Sequence, residues 1–225
     1  ISDNNGCSDI TAALTTSTAY RNGVTATCAS ANPTTSSLNC YVRITHVTST
    51  CASNSINVTD TVQIYYFAQA TDSSSSFASN LWEAFAVASD LTGATSSVAT
   101  SSAVELNTLT AINVTTSSLN YGTLSASSTT GAVNQIATST NAGNSSTTLQ
   151  LRASATLTSG SNSIATSSQR YSTSSFTFAG TSISLTESAV TVSGFILTAP
   201  TSTTNVSQST YWGLEIPAGT ATGTY

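Results

Sequence analysis

The sequence predicts an all-β fold built as two sandwich domains in tandem, on three observations. Ser and Thr supply about two-fifths of the chain, yet Val, Ile, Leu, Phe, Tyr and Trp recur among them at intervals of two, the period at which strand side chains alternate between faces. β-Branched residues, which favour the pleated strand over the helix, run through the whole length. Clusters of Ser, Asn, Gly and Pro interrupt the apolar runs at the spacing of sandwich turns, and 225 residues accommodate two sandwiches of about 100 residues each. Without the alternation, a chain with 6% charged residues would read as linker, because such tracts bury too little apolar surface to offset chain entropy. With it, the hydroxyls become the outward half of strands.

The elements follow in order. Residues 24–27 and 41–44 read as antiparallel neighbours. In residues 42–47, Arg43 and Thr45 oppose Val42 and Ile44, and His46 shares the Val42 face. Residues 62–68 read as a strand with Val62, Ile64, Tyr66 and Ala68 on one face and Gln63, Tyr65 and Phe67 on the other. Residues 81–88 have the Ala and Glu of two helical turns, but residues 72–76 and 90–93 look like hairpin ends. A strand is therefore predicted there, with Trp82 in a sandwich core.

Residues 105–115 read as a strand passing directly between domains, dividing residues 1–107, with all the cysteines, from residues 108–225. No flexible Pro/Gly linker intervenes, so the pair is expected to be stiff. Residues 186–192 lead through Ser193 and Gly194 into 195–197 as one strand turning into the next. Residues 220–225 read as a turn and the start of a strand. A sandwich lacking its closing strand exposes unpaired backbone groups, which a neighbouring subunit would supply or complete.

Three stretches carry a resemblance: the run from Asn113 through Asn120, Tyr121, Gly122 and Leu124; the strand ending in Asn141-Ala142-Gly143-Asn144; and Tyr211-Trp212-Gly213-Leu214-Glu215-Ile216-Pro217-Ala218-Gly219-Thr220. Together they resemble bacterial secreted cell-surface proteins with immunoglobulin-like β-sandwich domains. The resemblance covers residues 104–225 and, more weakly, the cysteine-bearing half. It implies two immunoglobulin-like sandwiches in tandem and an extracellular or cell-surface location, and it transfers no catalytic residue.

Charge narrows the function. A net charge of −5 with four arginines and no lysine argues against nucleic acid, which needs clustered cations, and against anionic membrane. No apolar run reaches the ~20 residues of a membrane span, and Ile1 is expected to open a mature chain whose leader has been removed. The even count of Cys7, Cys28, Cys40 and Cys51 reads as two disulfides with three connectivities open. Zinc is disfavoured because no Cys-x-x-Cys knuckle occurs. If 24–27 and 41–44 are neighbours, Cys28 and Cys40 close the loop between them and Cys7 reaches Cys51. Sequons at Asn57, Asn113, Asn144 and Asn205 are candidate glycosylation sites, although a chain this rich in Ser and Thr produces single sequons by chance.

Chemistry is sparse. His46 is the one histidine and reads as structural; no second base stands ready to activate a serine. The nine carboxylates are scattered as turn formers. Asp60, Asp72 and Asp90 could meet at one domain end, but no Asp-x-Asp-x-Asp-Gly loop is present, so neither metal nor cofactor is expected. Tyr211, Trp212 and Tyr225 form an aromatic cluster near the open end, read first as core and next as a subunit interface. The expectation is a non-enzymatic structural subunit of an extracellular filament or cell-surface assembly, joined to copies of itself by β-strand complementation, with glycans as further partners. The alternative is a surface-displayed adhesin or carbohydrate-binding module.

Overall fold

The chain is nearly all β, in antiparallel sheets. The computed structural model describes residues 1–10, 15–24, 28, 37–96, 98–178 and 180–225. It divides into two compact units. The first comprises Ile1–Leu109, Gly143–Ser145 and Pro200–Thr204; the second comprises Thr110–Ala142, Ser146–Ala199 and Asn205–Tyr225.

In the first unit, β1 (Thr16–Arg21), β2 (Cys40–Thr48), β3 (Val58–Val62), β4 (Trp82–Val87) and β5 (Ala99–Thr100) form one sheet in the order β3-β2-β1-β4-β5. The strand expected at 81–88 is β4, and Trp82 is buried at 3% exposure. Its indole stacks on Tyr41 with ring centroids 5.7 Å apart and donates from Nε1 to the Gln69 carbonyl at 2.9 Å. The ring thus gains apolar burial without orphaning its N–H. Phe85, from the opposite face of β4, is also buried, so this strand is covered on both sides.

Two expectations fail here. The neighbour of β2 is β1, with Tyr20 opposite Cys40. Val24 instead donates to the Arg21 carbonyl in a turn, and residues 25–27 lie outside the described residues. Residues 62–68 are not a strand: β3 ends at Val62, and a turn closes with the Ala68 amide on the Tyr65 carbonyl. Ile64 and Tyr66 consequently stand 44% and 38% exposed while Phe67 is buried, stacked on Tyr65 at 5.2 Å. Period-two apolarity also suits a loop that drops alternate rings into a core.

The second unit holds β6 (Ile112–Val114), β7 (Gln135–Asn141), β8 (Thr147–Leu151), β9 (Leu157–Ser159), β10 (Asn162–Ile164), β11 (Gln169–Ser172), β12 (Ile183–Ser184), β13 (Val190–Leu197) and β14 (Ser207–Leu214), with a 3-10 turn at Thr166–Ser168. Five strands form the layer β12-β11-β14-β7-β6; β8 pairs with β13, and β9 with β10. Leu149 of β8 and Val192, Phe195 and Leu197 of β13 meet Tyr171 and Trp212 of the larger sheet in one core. Leu119 and Tyr121 reach that core from residues 115–125, which form no strand, although the resemblance around Asn120-Tyr121-Gly122 implies one there.

Residues 190–197 are one strand, not two. β13 pairs with β8 through a register irregularity between Thr191 and Ile196, and Gly194 takes φ 72° there, a backbone conformation that glycine adopts without strain. Gln208 of β14 bridges the irregularity, its Oε1 accepting from the Ile196 amide at 3.1 Å and its Nε2 donating to the Gly194 carbonyl at 3.3 Å. On β7 and β14, hydroxyls pair across the strands, Thr138 with Ser209 at 2.9 Å and Thr140 with Ser207 at 3.0 Å. β14 lies between β7 and β11, and residues 220–225 form no strand. The start of a strand expected there is therefore not formed.

The four arginines occupy different settings. Arg21 is buried, its Nε donating to the Gln69 amide oxygen at 3.0 Å and its guanidinium carbon lying 3.9 Å from the Phe77 ring centroid. Arg43 and Arg170 are half-buried on strands, whereas Arg152, one residue beyond β8, is exposed.

Candidate functional site

A connected group of ionisable and hydroxyl side chains runs across β1, β2 and β3. Its position follows from a bulge. Arg43 pairs with Val62, Thr45 with Thr61 and His46 with Asp60, so β2 carries one more residue than β3 between the first two pairs. The extra residue flips the alternation, because a one-residue slip reverses every later side chain. His46 therefore shares a face with Arg43 instead of Val42.

There His46 Nδ1 lies 2.5 Å from Asp60 Oδ1 and 2.9 Å from Arg43 Nη1. Arg43 Nη1 donates to Thr15 Oγ1 at 2.6 Å and lies 3.5 Å from Asp60 Oδ2, and Ser17 Oγ donates to that same Oδ2. Nδ1 cannot both accept from Arg43 and donate to Asp60. A proton on Nδ1 satisfies Asp60 and leaves the two Nη1 hydrogens of Arg43 for Thr15 and Asp60. His46 Nε2 is buried and, among the described residues, has no hydrogen-bond partner.

Burial, the largest single influence, raises the Asp60 pKa. Hydrogen bonds from Ser17 and His46 and the positive charges of Arg43 and His46 more than offset it and hold the carboxyl below its ordinary value. The serine meets the aspartate and not the histidine, so the contact that lets a base activate a hydroxyl is not formed in this geometry. What the group does chemically is tie three strands together through one carboxylate. Sequence reasoning missed it because no Gly or Pro marks the bulge.

Asp60, Asp72 and Asp90, which from sequence could meet at one domain end, have separate partners. Asp60 lies in the group above. Asp72 accepts from Thr108 Oγ1 at 2.7 Å and from the Thr108 amide at 2.9 Å, which lowers its pKa. Asp90 accepts from Thr92 Oγ1 at 2.9 Å and the Ala94 amide at 2.8 Å, with the hydrogen bond from Thr92 the chief cause lowering its pKa. Asp90 instead meets Asp3 and Asp9, whose carboxylate oxygens lie within 4.8 Å of one another. Asp3 and Asp90 also line a cavity of about 180 Å³ together with Ile1, Ile10 and Ala88. Among the described residues this is the set of oxygen donors that fits a hard cation best. Asn5 bridges part of it, donating from Nδ2 to Asp9 Oδ2 at 3.1 Å and from its backbone amide to Asp3 Oδ1 at 2.6 Å.

Both disulfides are formed, Cys7–Cys51 with Cα atoms 5.8 Å apart and Cys28–Cys40 at 5.6 Å. The sequons differ in setting. Asn57, Asn113 and Asn205 are exposed. The Asn144 amide is engaged at both ends, Oδ1 accepting from the Leu109 amide at 2.6 Å and Nδ2 donating to the Asn107 carbonyl at 3.2 Å.

The three aromatics grouped from sequence take separate positions. Trp212 is a core residue, 5.5 Å from Tyr171 and donating from Nε1 to Thr210 Oγ1 at 2.9 Å. Tyr211, next to it on β14, faces the other way and is half-buried, and Tyr225 donates its hydroxyl to the Ala221 carbonyl at 3.0 Å. No family model matches the chain, and neither a curated protein nor a solved structure does.

Proposed function

We propose that this chain is a structural subunit of an extracellular filament or cell-surface assembly, built from two tandem immunoglobulin-like sandwiches and joined to copies of itself by β-strand pairing. The observation that carries the reading is the unequal layering of the second unit. Five strands form one layer, whereas among the described residues the layer that shares their core is β8 and β13 alone. A two-stranded sheet is marginal by itself, and a third strand makes it stable. A strand from a second copy added at β8 supplies ladder hydrogen bonds and widens the thin layer, which is the mode by which extended segments join sheet edges. Two disulfides suit an oxidising compartment.

The adhesin or carbohydrate-binding reading calls for exposed aromatic platforms, but both tryptophans are spent in cores, at 3% and 7% exposure. Electron micrographs of the purified native material test the proposal. Filaments or sheets with a fixed axial repeat are expected. Monodisperse monomers at high concentration, with a tight hit on a glycan array, would overturn it in favour of the binding module.

A further inference from the structure

We infer that Asn57 and Asn113 carry N-linked glycans that shield one outer strand of each five-stranded sheet, and that Asn144 stays unmodified. The inference rests on the proposed extracellular route. Its first observation is placement. Asn57 immediately precedes β3 and Asn113 lies within β6, and these are terminal strands in the orders β3-β2-β1-β4-β5 and β12-β11-β14-β7-β6. Both asparagines are exposed, and among the described residues neither side-chain amide has a hydrogen-bond partner.

The second observation is what these strands lack. Outer strands present unpaired N–H and C=O groups that template pairing with another chain, and proteins blunt them with Lys, other charges, Pro or bulges. The chain has no lysine. β3 reads Val-Thr-Asp-Thr-Val and β6 Ile-Asn-Val, with no proline in either. The one charge, Asp60, is turned into the group with Arg43, His46 and Ser17. Each strand instead has a sequon at its start or centre, where a bulky hydrophilic sugar does what a charge would do. With β3 and β6 covered and the opposite ends β5 and β12 only two residues long, the β8–β13 pair is left as a place for a second copy to pair.

Asn144 contrasts with both. A sugar replaces one of the two hydrogens on its Nδ2, the nitrogen that donates to the Asn107 carbonyl, and Oδ1 is held by the Leu109 amide, so a glycan there crowds contacts that the folded unit uses. Asn205 is exposed but precedes β14, an inner strand, and has no edge to guard.

The reaction needs a lipid-pyrophosphate-linked oligosaccharide and a transferase that reads Asn-x-Ser/Thr. The asparagine Nδ2 attacks the anomeric carbon and the C–N bond forms. The anomeric C–O bond to pyrophosphate breaks, the lipid pyrophosphate departs, and the amide proton passes to a base of the transferase. Nothing is oxidised or reduced.

The test is secretion of the full chain behind a secretory leader from an N-glycosylating cell, with occupancy read by peptide mass spectrometry on disulfide-intact protein. Asn57 and Asn113 are expected to be mostly occupied and Asn144 empty. A secreted, disulfide-bonded chain bare at Asn57 and Asn113, or modified at Asn144, overturns the inference while the surface-assembly reading stands. A chain that is not exported fails both. Removing the glycans from the folded protein with an endoglycosidase, and separately the double variant N57Q/N113Q, are each expected to add larger, irregular species to those the glycosylated protein forms, read by size-exclusion chromatography. An unchanged size profile after enzymatic removal overturns the shielding role.

Discussion

The Asp60 carboxylate is pulled in two directions, and the balance sets a pH dependence. Desolvation favours the neutral acid, while Ser17, His46 and Arg43 favour the anion and prevail. A depressed pKa in the folded state means that the unfolded chain binds the proton more readily, so stability rises with pH across this titration. The contribution is complete above the ordinary value of 3.8 and is lost as pH falls through the lower folded value. Asp60→Asn removes the charge-assisted bonds and should cost about 1–3 kcal/mol at neutral pH. Urea melts of both proteins from pH 7 downward check this: the two stabilities should converge below pH 3.8. A gap that stays constant to pH 2 would remove Asp60 from the account.

At the scale of elements, the sequence was most legible where alternation was uninterrupted. β4 is a strand with Trp82 inward, as its period-two pattern requires. Legibility failed at irregularities. The bulge in β2 reversed the face of His46, and residues 62–68 kept the alternation of a strand while turning as a loop. Gly194 looked like a turn but serves a bulge within one strand. These failures share a cause: backbone irregularity is fixed by hydrogen bonds from distant residues, such as those that Gln208 of β14 makes to β13, and leaves no local composition.

Gly213 is a further case. A Cβ there would stand 2.9 Å from Thr130 Oγ1, 3.1 Å from Phe178 and 3.2 Å from Phe176, so the two phenylalanines lie over the glycine of β14. Gly213→Val should destabilise by about 1–3 kcal/mol through overpacking, measured by chemical denaturation. An unchanged midpoint would mean that the segment carrying Phe176 and Phe178 moves aside without cost.

For the whole molecule, pairing of distant residues separates what sequence could reach from what it could not. The disulfides Cys7–Cys51 and Cys28–Cys40 match the pairing reasoned from strand adjacency, although β2 proved to neighbour residues 16–21 instead of 24–27. The convergence of Asp3, Asp9 and Asp90 was out of reach, because the N-terminal segment has no periodic pattern to place it. The candidate site was least legible of all: its four strongest contributors, Ser17, Arg43, His46 and Asp60, come from three strands, and only a register could bring them together.

The uneven settings of the four arginines have a consequence for proteolysis. Trypsin cuts only after Lys or Arg, and it needs the backbone to leave its strand. Arg21 is buried on β1, Arg43 is held by Thr15 and Asp60 on β2, and Arg170 lies on β11. Only Arg152 is exposed outside a strand. Native protein should therefore be nicked first at Arg152–Ala153, where the Ala153 amide has only its bond to the Thr186 carbonyl to release, giving two mass-defined fragments, 1–152 and 153–225, that part only on denaturation. A digestion sensor for folding is thus built into the chain: one cut reports the native state, and four report its loss.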